Sequence, residues 1–297
     1  MALLYSIIGS SGFIILISLV ILHIFHFRGP YLLPFQKVFR YFTRYEHYVL
    51  RFMFILLNTD ILYKNRLIRF IPEFISYFFA NGAYPSIYTL QELIQIINII
   101  YKKNGGSGNS ATKFGILLRP CPCRDAQRNY SKTLPNVTDV LLTNNVQALS
   151  KGRDNVFISK NQLIKKLRKF DEIGLIHVVL GCCGEEGHGI NICNCHKSAC
   201  FPLKAILARG FRRGLAPGPS IATCDLEKCK GIDDCGKCLT RCPFHARIVK
   251  DRKGEVIADS CYGCGLCANT CESGATQMIP RAGYKNSYFP LQWIRSY

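Results

Sequence analysis

Residues 261–271 read CYGCGLCANTC and set Cys261, Cys264, Cys267 and Cys271 in the pattern C-x2-C-x2-C-x3-C. Soft thiolates at this spacing suit an iron–sulfur core, whose sulfides the amides of a tight loop can hydrogen-bond. Zinc usually takes two C-x-x-C pairs separated by a longer loop, which this run lacks. Upstream, KCKGIDDCGKCLTRCPFHA supplies Cys229, Cys235, Cys238 and Cys242, followed by Pro243. Its last three thiols keep the C-x2-C-x3-C-P form. Five residues rather than two precede Cys235, which leaves Cys224 as a substitute for Cys229. Both runs carry an alanine four residues past the last cysteine, Ala246 and Ala275, so the segment contains an internal repeat. Between the runs, RIVKDRKGEVIA is expected to form two short strands around a Lys-Gly turn.

Residues 222–280 resemble a bacterial-type two-cluster [4Fe–4S] ferredoxin domain, over about a fifth of the chain. In that family the ligation is crossed. The resemblance therefore implies that Cys229, Cys235, Cys238 and Cys271 hold one cluster, and that Cys261, Cys264, Cys267 and Cys242 hold the other. It also implies transfer of single electrons through two neighbouring clusters. The second run departs from the family in having Glu272 where proline usually stands, which implies a less rigid loop and a more negative cluster.

The middle of the chain adds RPCPCRDA (Cys121, Cys123), GCCGEEGHG (Cys182, Cys183) and ICNCHKSAC (Cys193, Cys195, Cys200). Sixteen cysteines would suit a disulfide framework in a short secreted chain, whereas clustering in tight runs argues for metal. A third iron–sulfur centre is the preferred reading of Cys121, Cys123, Cys193, Cys195 and Cys200. Cys182 and Cys183 belong to that site or to another. Structural zinc held by four of these thiols or by His196 is the alternative, and reduced free thiols are a further one. The C-x-C pairs are expected in irregular loops rather than on a regular strand. The combination of C-x-C-R, a helix leading into G-L-x-H, and C-N-C ahead of the ferredoxin-like segment resembles a wider group of iron–sulfur proteins. That likeness brings no activity with it, and His196 interrupts a stretch that is denser in thiols in the group. Cys182-Cys183-Gly184 also resembles the CCG signature of heterodisulfide-reductase-type subunits, which would imply disulfide chemistry. The spacing of the surrounding cysteines does not match that signature.

The elements that must position the middle thiols are partly legible. Ser159 and Gln162 form a capping-box pair ahead of apolar residues at 163, 164, 167 and 170, so an amphipathic helix is expected there. GLIHVVL then reads as a strand, with His177 as a core histidine rather than a ligand. The expected fold class is α+β: a ferredoxin-like two-[4Fe–4S] domain, an additional Cys-rich α/β domain, and an N-terminal transmembrane helix with amphipathic helices. The corresponding boundaries are 1–28 for the anchor, 29–104 for the interfacial helices, 112–221 for the Cys-rich domain, 222–280 for the ferredoxin-like domain and 281–297 for an aromatic, basic tail. NGGSGNSA at 104–111 marks the linker.

Residues 3–27 carry no Asp, Glu, Lys or Arg. As a helix they would reach roughly 38 Å, against a hydrocarbon core of about 30 Å. A single tilted transmembrane span follows. Arg28, Lys37, Arg40, Arg44 and Arg51 come directly after it and no basic residue precedes it, so the iron–sulfur domains are expected on the cytoplasmic side. His23 and His26, at that end of the span, read as interfacial polar residues. Between 31 and 103, aromatic and basic residues alternate in stretches too short to span, including TLQELIQIINIIYKK. Packing on the soluble domain and lying on the lipid surface are equally open for them.

The formal net charge is +19, yet 222–280 carries eight basic and eight acidic residues, so the excess lies elsewhere. Its mixture with membrane-like faces points to lipid rather than nucleic acid. No G-x-G-x-x-G, P-loop or G-x-S-x-G is present, so no catalytic residue is assigned. The expected function is a membrane-anchored electron-transfer protein, an electron carrier or subunit of an oxidoreductase complex. Its partner would be a redox protein or a membrane enzyme complex. A catalytic subunit with a substrate-binding cluster at the middle cysteines, and an iron–sulfur redox sensor using 151–180 as an interaction module, are the other readings.

Overall fold

The structure is a computed structural model and describes residues 46–64, 69–70, 72–73, 85–104, 114–129, 132–143, 155–182 and 189–284. Helices α1 (Glu46–Asn58) and α2 (Ile61–Lys64) come first. Strand β1 (Ser86–Tyr88), helix α3 (Leu90–Lys103), β2 (Gly115–Pro120), α4 (Pro122–Gln127), β3 (Val137–Thr143) and β4 (Val156–Phe157) follow. Then come α5 (Lys160–Glu172), β5 (Ile176–Cys182), β6 (Gly189–Cys195) and α6 (Phe201–Arg209). The C-terminal unit comprises β7 (Ser220–Cys224), α7 (Lys237–Arg241), β8 (Arg247–Lys250), β9 (Lys253–Val256), α8 (Leu266–Asn269) and β10 (Thr276–Pro280).

The first six strands form one antiparallel sheet in the order β1-β5-β6-β3-β2-β4. Period-two alternation sends its side chains to two different cores. On one face Val140, Leu142, Val179, Ile190 and Ile192 meet Leu93, Ile96 and Ile97 of α3 and Leu163, Leu167 and Phe170 of α5. Both helices begin with a capping box, Thr89 with Glu92 and Ser159 with Gln162, which satisfies amides that the first turn would leave open. On the other face Ile176, Val178 and Cys195 pack with Leu203 and Ile206 of α6 and with Phe244, Tyr262, Cys264 and Leu266 of the C-terminal unit. The sheet is thus the wall against which the cysteine-bearing loops are set.

One open alternative is decided here, and two expectations change. The segment 90–103 is not left free for a lipid surface: Leu93, Ile96, Ile97 and Ile100 are buried against the sheet. With β1 paired to β5, residues 86–103 belong to the sheet domain, N-terminal of the linker taken as its boundary. The hairpin in the C-terminal unit turns at Asp251 and Arg252, both with positive φ (48° and 62°), and not at Lys-Gly. Gly254 instead lies within β9, where an added Cβ would stand 2.7 Å from the Cys238 sulfur. That glycine serves close approach rather than the turn.

Helix α1 is two-faced, with Met53, Phe54 and Leu57 buried against Phe201, Ala205 and Phe211, while Tyr48, Phe52 and Ile55 are exposed. The span expected at 3–27 and the tail beyond 284 lie outside the described residues. Among the described residues, no helix is long and apolar enough to cross a membrane.

Leu167 is fully buried between α5 and the sheet, whereas Phe157 on the edge strand is half exposed. Leu167→Ala is expected to cost about 2–5 kcal/mol in denaturant unfolding, cavity included, and Phe157→Ala less than about 1 kcal/mol.

Candidate metal centres

The thiols of the C-terminal unit fall into two groups. Cys242, Cys261, Cys264 and Cys267 line one pocket, together with Phe244, Tyr262 and Met278. Phe244 and Tyr262 stack with ring centroids 4.4 Å apart and close its apolar side. Burial pushes the Cys264 and Cys267 thiols up, and the neighbouring Cys242 and Cys261 sulfurs add to this. The Ala246 amide donates to the Cys242 sulfur at 3.3 Å, and the Arg247 Nη2 donates to the Cys267 sulfur at the same distance. Such donors favour the thiolate form that a metal needs.

Cys224, Cys229, Cys235 and Cys238 form the second group. Cys224 and Cys229 are hydrogen-bonded through their side chains, and Cys238 adjoins Cys224, Cys229 and Cys235. The amides of Gly254 and Gly231 pull the Cys229 thiol below its ordinary value. Cys235 is exposed. Cys271 is set apart by the repeat: although burial raises it, the Thr276 amide at 3.2 Å and Ser273 bring it below the ordinary thiol range. Thr276 is the register partner of Cys224, which places Cys271 beside the strand that carries Cys224. The repeat is visible in the backbone too. Gly236 and Gly265 hold left-handed conformations (φ 58° and 80°) between the second and third cysteines of each run and start α7 and α8.

The middle thiols converge as well. Cys121 caps the start of α4, Cys123 lies in its first turn, and Cys200 caps the start of α6. Cys193 and Cys195 both stand on β6, contrary to the irregular loop expected for C-x-C. The reason is elementary: residues two apart on a strand share a face, so a regular strand presents both thiols together. Hydrogen-bonding contacts run from Cys121 to Cys123, from Cys123 to Cys200, from Cys200 to Cys195 and from Cys195 to Cys193. Cys193 donates to Asp139 Oδ1 at 3.1 Å. Although its contact with Cys195 lowers it, burial and the Asp139 charge push Cys193 up to about 12. The contacts with Cys123 and Cys195 bring Cys200 down to about 6, against the effect of burial. His196 stays outside this nest, with Nδ1 2.7 Å from the Ser198 hydroxyl. Cys182 ends β5, and Cys183 lies outside the described residues.

Each thiol assembly is accompanied by a buried arginine that sequence reading passed over. Arg124 is 2% and Arg247 6% exposed, and Arg124 Nη2 and Arg247 Nε meet no hydrogen-bond partner among the described residues. A buried cation with spare donors fits an anionic occupant. Among the described residues no three His, Cys, Asp or Glu side chains are arranged to clasp a single metal ion.

A polar bridge joins the nest to the C-terminal unit. Asn194, between Cys193 and Cys195, is 2.7 Å from His177 Nδ1, and His177 Nε2 is 3.7 Å from Asp171. Asp171 accepts from Asn269 Nδ2 at 2.6 Å, and Asn269 lies between Cys267 and Cys271. Arg241, next to Cys242, donates to the Asp171 and Glu172 carbonyls at the end of α5. His177 thus remains a core histidine, as expected, but it spans two cysteine sites.

Comparison with curated proteins finds an uncharacterized ferredoxin of Methanocaldococcus jannaschii, 34% identical over 59 residues, which are 20% of this chain and 94% of that protein. No family model matches the chain, and no solved structure does.

Removing the amide in Asn269→Ala strands the Asp171 carboxylate. It is expected to cost about 1–3 kcal/mol in thermal or denaturant unfolding. Gly254→Ala drives a methyl into the Cys238 sulfur. That variant is expected to lower the iron content of protein purified without oxygen.

Proposed function

Given that the chain belongs to the ferredoxin family through its C-terminal segment, we propose that it is a membrane-anchored carrier of single electrons. Residues 222–280 would hold two [4Fe–4S] clusters. Cys242, Cys261, Cys264 and Cys267 would bind one; by the family's crossed ligation Cys229, Cys235, Cys238 and Cys271 would bind the other, with Cys224, which the structure sets beside Cys229 and Cys238, as the substitute for Cys229. The observation that carries the reading is a pocket lined by four thiols from both cysteine runs, which is what crossed ligation requires. Iron–sulfur clusters supply one-electron oxidation and reduction at potentials that their surroundings set.

The chain's own residues do the rest. Phe244 and Tyr262 keep water from the inner site. The amides of Ala246 and Thr276 hold the Cys242 and Cys271 sulfurs as acceptors. Exposed Cys235 brings the outer site to the surface, where a redox partner can dock. The nest of Cys121, Cys123, Cys193, Cys195 and Cys200 would hold a third iron–sulfur centre, and the apolar core shared by Cys195, Cys200, Cys264, Cys242 and Cys261 makes it contiguous with the inner site. Anchoring rests on the uncharged stretch 3–27 followed by basic residues, with the exposed face of α1 toward lipid. The iron–sulfur units then face the cytoplasm and exchange electrons with a redox protein or a membrane enzyme complex.

Protein purified without oxygen is expected to carry about twelve irons, four for each cluster, with more than one low-potential signal in electron paramagnetic resonance. Replacing Cys193 and Cys195 by serine should reduce this to about eight while sparing the signals of 222–280. About eight irons in the unmodified protein contradict the third centre, and zinc in place of iron contradicts the whole reading. In membrane vesicles, protease added from the cytoplasmic side should release the iron–sulfur units.

A further inference from the structure

We propose that Arg247 is a positioning residue shared by both cluster sites of 222–280, a fixed buried cation that raises the reduction potential of each. The inference rests on the two-cluster reading above. Arg247 opens β8 directly after Ala246, whose amide holds the Cys242 sulfur. Its side chain runs inward between the two groups of thiols. Nη2 donates to the Cys267 sulfur at 3.3 Å, in the inner site. Nη1 donates to the Gly254 carbonyl at 3.4 Å, on the glycine that backs Cys238 of the outer site. Burial disfavours the charge on this guanidinium, and the Cys267, Cys238 and Cys224 sulfurs together more than offset it. Nε meets no hydrogen-bond partner among the described residues.

Four of the eight carboxylates of 222–280 are paired with other cations. Asp225 pairs with Lys228, Glu272 with Lys230 and Lys237, Glu255 with Lys250, and Asp233 with Arg252. All five pairs lie toward the surface, and no ion pair among the described residues includes Arg247. A guanidinium does not shed its proton, and a buried charge persists only where opposite charge meets it. Thiolate-ligated clusters provide that charge and gain a further negative charge on reduction. A cation lodged between them therefore favours the reduced state of both and offsets the repulsion between two reduced neighbours. Nothing in the cysteine spacing announces this residue, since a lone arginine in HARIVK reads as a strand residue facing solvent.

The test compares the unmodified protein with R247M and R247K, prepared without oxygen, by iron content and by potentiometric titration of the paramagnetic signals. With both clusters loaded, R247M is expected to lose about tenfold in each one-electron reduction equilibrium, a fall of about 59 mV. R247K keeps the charge and is expected to move by less than about threefold. Unchanged potentials in fully loaded R247M overturn the proposal, and so does R247K shifted as far as R247M. If R247M loads one cluster only, two clusters in R247K sustain the assignment and one cluster in R247K overturns it. Absence of iron from the unmodified protein is a separate result, which brings down the two-cluster reading before any variant is titrated.

Discussion

Thiols packed face to face inside a protein, none of those described joined in a disulfide, need something among them that takes up both space and charge. That requirement organises this chain. Arg247 is buried beside the thiols with Nε left open among the described residues, and a pocket is bounded by sulfur from both runs of the repeat. Backbone amides point at sulfur rather than oxygen at Cys242, Cys271 and Cys229. Each feature would be a defect in an ordinary apolar core. Together they describe a scaffold shaped around anionic inorganic groups.

The sheet domain answers the same requirement from the other side. Its apolar face, packed under α3 and α5, is conventional and supplies stability. Its opposite face carries Cys193, Cys195 and Asp139 toward α4, α6 and the ferredoxin unit. One sheet thereby fixes the nest of middle thiols and the inner pocket against each other. The hydrogen bonds of Asn194 to His177 and of Asn269 to Asp171 add directional contacts that apolar packing alone would not give.

The cysteine repeat, the α5 helix with its cap and the β5 strand could be read from residues alone, because spacing and periodicity are local. The segment 90–103 could not be assigned between lipid and sheet, since an amphipathic stripe shows one apolar face without naming what covers it. Gly254 was read as a turn residue because glycine marks both turns and close approach, and only the position of the Cys238 sulfur tells them apart. Arg247, Arg124, Asp139 and Asn269 carry no motif. A lone Asp in VTDVLLT was the one signal of a buried charge awaiting a partner. The gathering of Cys121 and Cys123 with Cys193, Cys195 and Cys200 depends on strand order, which spacing does not encode.

The most direct measurement of the central claim is anomalous diffraction at the iron edge from crystals grown without oxygen. Iron density is expected in the pocket bounded by Cys242, Cys261, Cys264 and Cys267, with a second site at Cys229, Cys235, Cys238 and Cys271. A well-ordered pocket holding zinc, or closed by disulfides among those sulfurs, would contradict the account.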